Sequence, residues 1–358
     1  VSWEVADKTN IGLDMRLLNN KLSLQVDLFK ESREGIYLRR KSIPSYFGMI
    51  NNPYGNIGKV ENKGIEVALN YANTWGDWSL SVMGNYSFNR NKVLEDDSTA
   101  AYPWQSTIGN KVGQRFGLVA LGLFESKEEI AASPVQTGDT RPGDITYERL
   151  FIDADDVANS PTQSWGTTQA GDIKYKDING DGLINEYDEV PIGWGNVPEI
   201  IYGVGFSVGW KNLSLTAMFQ GAAHVDAMLS GEGVLPFAQG SGRGNLLSNI
   251  TDRWTEQNPR QDAFYPRLSI GTINMNYEKS TWWLKNTSYL RLKNVELSYT
   301  LPDRWMKHIR LENARIFIQG VNLLTFSPFD IWDVELGDGR GAAYPNISSA
   351  SLGLSFNF

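Results

Sequence analysis

Apolar and polar residues alternate one for one in short runs along most of this chain, and the runs come in pairs. Ile11, Leu13, Met15 and Leu17 are separated by Gly12, Asp14 and Arg16; after Asn19-Asn20, Leu22, Leu24, Val26 and Leu28 are separated by Ser23, Gln25 and Asp27. A period of two broken by a short turn predicts a β-hairpin with one apolar face. The pattern returns in Ile65–Tyr71 and Trp78–Phe88 around Thr74–Asp77, and in Tyr202–Trp210 and Leu213–Gln220 around Lys211-Asn212. Single strands follow at Val295–Leu301, Arg315–Leu323 and Leu352–Phe358. Between Tyr102 and Phe124 the alternation blurs; it is read as strands near Tyr102–Ile108 and Phe116–Phe124 around a turn at Gly109–Gly113.

That gives about eleven strands, and the links between them alternate in length. Short ones fall at Asn19-Asn20, Trp75-Gly76, Gly109–Gly113, Lys211-Asn212 and, somewhat longer, Pro302–Asn313. Long ones run from about Arg39 to Gly58 and over residues 125–199, 221–284 and 324–346. Short turns on one side and long loops on the other are the habit of outer-membrane barrels, with the long loops extracellular. The polar face of the runs is Gly, Ser, Thr, Asn, Asp and Gln, small and mostly uncharged, which fits a wet or plugged lumen better than the charged exterior of a soluble sandwich or barrel. Aromatics close several runs (Tyr71, Trp78, Phe88, Tyr202, Trp210, Phe219), where a bilayer interface would lie. The expected fold is an all-β, antiparallel, up-and-down transmembrane β-barrel. An odd strand count does not close a bacterial single-chain barrel, so the 358 residues are expected to be the C-terminal part of a larger one. Val1-Ser2-Trp3, without an initiator Met, reads as the interior of a longer protein.

Composition narrows the chemistry. With 41 Asp+Glu against 33 Lys+Arg the net charge is −8, which argues against a nucleic-acid partner. No cysteine is present, excluding disulfides and thiol nucleophiles, and His224 and His308 are the only histidines, which excludes a multi-His metal site and leaves few candidate catalytic bases. No apolar run is long enough for a membrane helix. The mean hydropathy of −0.34 does not count against a barrel, whose strands give only alternate residues to lipid.

Several motifs then resemble a known family. They are Gly171-Asp172-Ile173-Lys174-Tyr175-Lys176-Asp177-Ile178-Asn179-Gly180-Asp181-Gly182 with Ile192-Gly193, Tyr289–Val295 with Tyr299-Thr300-Leu301-Pro302, Gly320-Val321-Asn322-Leu323 with Thr325-Phe326, Tyr344-Pro345, Gly353–Phe358 and, upstream, Asn62–Glu66. In this order they resemble the C-terminal barrel half of SusC/RagA-type TonB-dependent outer-membrane transporters of Bacteroidetes. The resemblance implies a 22-stranded barrel with an N-terminal plug, import energised by TonB through an N-terminal part outside this sequence, and a SusD-like surface lipoprotein as lid. It also implies an oligosaccharide or peptide as substrate, and a setting among outer-membrane lipid and lipopolysaccharide. Terminal Phe358 resembles the signal read by the barrel-insertion machinery.

Candidate binding residues lie in the loops. Asp177, Asn179 and Asp181 stand at positions 1, 3 and 5 of an EF-hand-like spacing, with Gly182 at 6, Ile184 at 8 and Asp188 at 12. Asp177, Asn179, Asp181, Leu183 and Asp188 are therefore candidate calcium ligands, although Asp at position 12 weakens the cage and Pro191 and Gly193 preclude a following helix. An Asn/Asp-Gly turn that satisfies its own backbone is the alternative. Trp165, Trp194, Trp254, Trp282, Trp283 and Trp332 could stack on sugar rings, or pack within the loops or in an interfacial belt. Asp14, Arg16, Asp27, Glu66 and Glu296 sit on the polar face, where they would line the lumen or bridge to neighbouring strands. The Gly240–Gly244 run reads as a flexible loop, and no nucleophile elbow is found. No enzyme is expected. The competing readings are a passive porin or surface adhesin barrel, and an outer-membrane hydrolase, which the scarcity of histidine disfavours.

Overall fold

The computed structural model describes residues 2–136, 168–231, 233–237, 246–268, 274–302, 304–306, 312–339, 341 and 343–357. Nine strands form one antiparallel sheet in chain order: β1 (Val5–Leu17), β2 (Leu22–Arg39), β3 (Tyr54–Trp75), β4 (Trp78–Glu95), β5 (Ile200–Trp210), β6 (Leu213–Ala223), β7 (Tyr289–Thr300), β8 (Asn313–Phe326) and β9 (Ser349–Asn357). Every hairpin foreseen from clean alternation is present, with Leu17 opposite Leu22, Trp75 opposite Trp78 and Trp210 opposite Leu213. The first turn takes Leu18, Asn19 and Asn20 through positive φ. Asparagine tolerates that region, and the resulting twist suits a hairpin.

Among the described residues this sheet has nine strands, not the expected eleven. β4 pairs directly with β5, with Trp78 opposite Trp210 and Phe88 opposite Ile200. The strands expected near Tyr102–Ile108 and Phe116–Phe124 lie outside this sheet. Pro103–Gln105 is a single 3₁₀ turn, while Arg115–Gly117 pairs with Val190–Ile192 and Ala120–Leu123 with Ile173–Tyr175. The physical reason is visible in the residues. From Phe116 to Phe124 both faces of the run are apolar, and Leu118, Leu123 and Phe124 are all buried. Such a segment belongs inside a packed layer, not between lipid and a wet lumen. Gly109–Gly113 is accordingly part of the loop between β4 and β5, on the side assigned to the long loops.

Where the apolar residues go decides between barrel and sandwich. The outward residues of the nine strands stay bare, Ile11 at 68% and Leu352 at 74% exposed. The buried apolar cluster is instead drawn from the loops: Ile173, Tyr175, Leu229, Tyr265, Trp283 and Phe329 are among its members. A sandwich would bury its strand faces against each other. A membrane barrel leaves them for lipid and builds its core elsewhere. Along β4 the apolar band from Trp78 to Phe88 spans ten residue steps, about 33 Å along a strand, or about 25 Å once tilted by 40–45°. That matches the apolar height of an outer-membrane barrel. Trp78 and Trp210 close its lower edge, ring centroids 6.0 Å apart. Among the described residues no helix is long and apolar enough to cross a membrane.

Candidate functional site

The long loops form a cap with its own core. Asp172 ties it together: its carboxylate is fully buried, 2.7 Å from Arg267 Nε, and accepts from Asn276 Nδ2 at 2.8 Å and Gln169 N–H at 2.8 Å. Its backbone carbonyl accepts from Phe124 N–H at 2.9 Å. Segments more than 100 residues apart therefore meet on one side chain.

Most of the tryptophans named from the sequence belong to this core. Trp283 is 1% exposed and donates its indole N–H to Asn276 O at 2.7 Å. Trp254 is buried with Gly171 pressed against its ring, and a side chain at Gly171 would collide with it. Trp282 is half-buried and donates to Phe264 O at 3.2 Å; Trp332 packs edge-on to Phe329. Rings as buried as Trp254 and Trp283 present no platform to a sugar, while Trp282 and Trp332 are half-buried. Trp194 differs: it is 40% exposed and stacks face to face on His224, centroids 3.9 Å apart. Trp165, His308, Gly240–Gly244 and Phe358 lie outside the described residues.

The acidic loop is a turn whose side chains bond its own backbone. Asp177 accepts from Gly180 N–H at 2.6 Å and Gly182 N–H at 2.9 Å, and Asp181 from Leu183 N–H at 2.8 Å. Asp188 accepts from Ile178 N–H at 2.8 Å and Asn185 N–H at 2.9 Å. Gly180 and Gly182 carry the positive φ the turn needs. Among the described residues no group of three or more His, Cys, Asp or Glu is clustered to hold a metal ion. The donor set still suits a hard cation, since each carboxylate oxygen keeps a second lone pair. Desolvation and the nearby Asp177 charge also push the buried Asp188 carboxyl above its usual range, a setting that a cation would relieve.

The strongest candidate for contact with a ligand is a cavity of about 660 Å³ on the inward face of β2–β4, at the end that carries the long loops. Its walls are inward residues, Arg33 on β2, Asn62 on β3 and Asn89 and Asn91 on β4, together with Glu95, Asp96 and Lys111. The Gly109–Gly113 segment creates it. β5 begins only at Ile200, opposite Phe88, so the top of β4 would otherwise be an open edge. The segment fills that lane: Val93 N–H donates to Asn110 O and Gly109 N–H to Val93 O, both at 2.8 Å, and Val112 N–H to Asn91 Oδ1 at 2.7 Å. Lys111 is thereby set at the junction of this cavity and a smaller one of about 220 Å³ bordered by Trp194 and Glu199. Its side chain is mostly buried, and its ammonium makes no hydrogen bond. Glu199 Oε1 is 3.6 Å away and the Trp194 ring 5.7 Å. Glu199 is occupied by Arg90, at 3.0 and 2.7 Å, and by His224 Nδ1 at 3.1 Å. An ammonium with three donors and no close acceptor is a ready partner for a ligand oxygen. Sequence reading passed over Lys111 because nothing local marks it; its setting depends on β4 having a free upper edge. Of the charges expected on the inward face, Glu296 pairs with Arg315 at 2.8 Å, and Asp27 accepts from Gln25 at 3.1 Å.

Comparison with known proteins gives a consistent set of likenesses. The profile of the TonB dependent receptor-like β-barrel family matches residues 1–323. TonB-dependent receptor P26 of Formosa agariphila is 26% identical over 389 residues, an alignment covering 100% of this chain and 35% of the relative. TonB-dependent receptor SusC of Bacteroides thetaiotaomicron is 21% identical over 369 residues, covering 100% of this chain and 32% of its own. The solved structure of the RagAB peptide transporter matches with a TM-score of 0.69 at 22% identity, covering 100% of this chain and 36% of that one, which establishes likeness of fold. The chain spans about a third of the length of these relatives.

Proposed function

Since the chain belongs to the TonB-dependent receptor-like β-barrel family, we propose that it is part of an outer-membrane importer of oligosaccharide or peptide nutrients, energised by TonB and covered by a SusD-like lipoprotein. The family is one of transporters and receptors, not enzymes. The observation that carries the proposal is the inward cavity under the cap: about 660 Å³, within the size range of ligand sites, lined by amides, by charges of both signs and by apolar side chains such as Ile36, Leu38 and Val60. Such a lining offers hydrogen bonds to hydroxyls and to peptide groups alike. Lys111 supplies the free donors. The globular cap around it provides the extracellular surface on which a lid protein would close.

The test is uptake by cells expressing the full-length receptor together with its lipoprotein partner. Labelled oligosaccharides and peptides are each expected to enter only when TonB is present. Lys111→Ala is expected to lower uptake of the true substrate about tenfold, the cost of about 1.4 kcal/mol in a lost charge-assisted hydrogen bond, with the amount of receptor in the membrane unchanged. Entry that proceeds equally without TonB would support a passive pore instead.

Calcium is proposed as a brace for the Asp177–Asp188 loop, held by Asp177, Asn179, Asp181, Asp188 and the Leu183 carbonyl. Calcium is expected to slow proteolysis within this loop several-fold relative to chelator, and Asp181→Ala to remove the difference. Identical cleavage with calcium and with chelator in the unaltered protein would end the idea.

A further inference from the structure

The outward face of β2–β4 changes character within one row of residues. Leu28, Ile65 and Phe88 stand side by side and close the apolar band at its extracellular edge. The next outward row is Lys30, Lys63 and Arg90, again side by side: Lys30 is paired with Lys63, and Lys63 with Arg90. Strands lie about 4.8 Å apart, so three cations fall within about 10 Å. Acids begin only one row farther out, with Glu61 beside Lys92, and continue with Glu34 beside Lys59. The cationic side chains are open to the outside, at 60%, 67% and 48%. Lys30 and Lys63 share the single carboxylate of Glu61, at 2.7 and 3.5 Å, while Arg90 is fixed by Glu199. Three cations facing two carboxylates leave the row with one net positive charge.

The geometry points to a binding row for the phosphate of a lipid headgroup in the outer leaflet, contacted by Lys30 and Lys63 and steered by Arg90. This rests on the outer-membrane placement proposed above. Depth selects the occupant. The row lies flush with the top of the apolar band, where phosphates of outer-leaflet lipids sit directly above their acyl chains. A lipid there meets the cations with its head and Leu28, Ile65 and Phe88 with its chains, whereas a free anion gains only the charge. Lys30 and Lys63 do not resemble a substrate site, because they face away from the lumen, while Arg90 leans to Glu199 beside the smaller cavity. Nor is it an ordinary solvated surface, because the acids that elsewhere intersperse with lysine are displaced outward by a row. Glu61 is the competitor that phosphate must displace from the two lysines.

The full-length receptor in nanodiscs doped with bis-phosphorylated lipid A provides the test, with bound lipid counted by native mass spectrometry. The unaltered protein is expected to retain lipid A through exchange into lipid-free nanodiscs. Lys30→Gln with Lys63→Gln should lower retention about tenfold or more, from about fivefold per lysine at a charged interface. Glu61→Gln should raise it, since it frees both lysines. Both positions are exposed, so folding is preserved, and a heat-sensitive gel shift verifies the barrel. Phosphate-free lipid A should be lost from the unaltered protein as readily as lipid A is from the double variant, and excess inorganic phosphate should not displace bound lipid A. Equal retention by the double variant, equal retention of phosphate-free lipid A, or displacement by inorganic phosphate would each overturn the assignment. Failure of the unaltered protein to enter the bilayer would instead sink the membrane placement, and the row with it.

Discussion

Replacing Arg267 with alanine is expected to open the loop cap while leaving the nine-strand sheet intact. Asp172 is fully buried, and Arg267 is the cation that balances it, with Nε 2.7 Å and Nη2 3.0 Å from its oxygens. Removing one partner of a buried pair strands the other charge, at a cost of about 3–5 kcal/mol. Asn276 and the Gln169 N–H would remain on the carboxylate, but neither carries charge. The effect should depend on pH. Burial already pushes the Asp172 carboxyl above its usual range, against the pull of Arg267; without the guanidinium it rises further. A carboxyl whose folded pKa lies above its unfolded value stabilises the fold below the unfolded value and loses that stabilisation as pH rises through the folded one. The variant cap should therefore be near normal at about pH 4 and loosest at pH 7–8. Hydrogen exchange over residues 168–175 and 264–268 would read it. Asp172→Asn combined with Arg267→Met should recover most of the protection, since it removes the stranded charge. A cap equally protected at pH 8 in Arg267→Ala would show that the pair does not hold these segments together.

The same pair shows why the cap was not legible in the sequence while the barrel largely was. A barrel strand advertises itself locally: each residue's face follows from its neighbours, and the turns at Asn19-Asn20 and Lys211-Asn212 mark where the chain reverses. Every strand predicted from clean alternation is present. The strands expected between Tyr102 and Phe124 failed because Pro103–Gln105 is a 3₁₀ turn and Phe116–Phe124 is apolar on both faces, which suits the cap interior, and only the third dimension shows that β4 pairs with β5 across more than 100 residues. The candidate site inherits that difficulty. Lys111 matters because β4 outruns β5, and Trp254 and Trp283 are core because Gly171 and Asn276 come to meet them. The acidic loop stands between the two cases. Its turn chemistry was readable from spacing, since its hydrogen bonds stay within the loop, but spacing says nothing about whether lone pairs serve the backbone or an ion.

Leucine at Gly64 is expected to prevent the receptor from reaching a heat-resistant barrel. Gly64 is an inward position in the middle of β3, paired with Phe29 on β2 and Asn89 on β4. The Phe29 ring lies across it: a Cβ built at Gly64 would sit 2.6 Å from Phe29 Cζ and would collide with the backbone carbonyl of Phe88. The ring can swing away; the carbonyl cannot without breaking the β3–β4 ladder. A glycine covered by a neighbouring aromatic fills the sheet surface while letting two backbones approach. Overpacking alone costs about 1–3 kcal/mol, and here it falls on a strand whose ladders on both sides are the longest in the sheet. The loss should appear as a full-length receptor that runs only at its unfolded mobility on unheated gels and is depleted from the outer membrane. Gly64→Ala should be milder. Adding Phe29→Gly to Gly64→Ala should recover part of the loss, because it removes the ring conflict and leaves that with the carbonyl. If Gly64→Leu assembles at the normal level, the close approach of β3 to β4 at this point is not required.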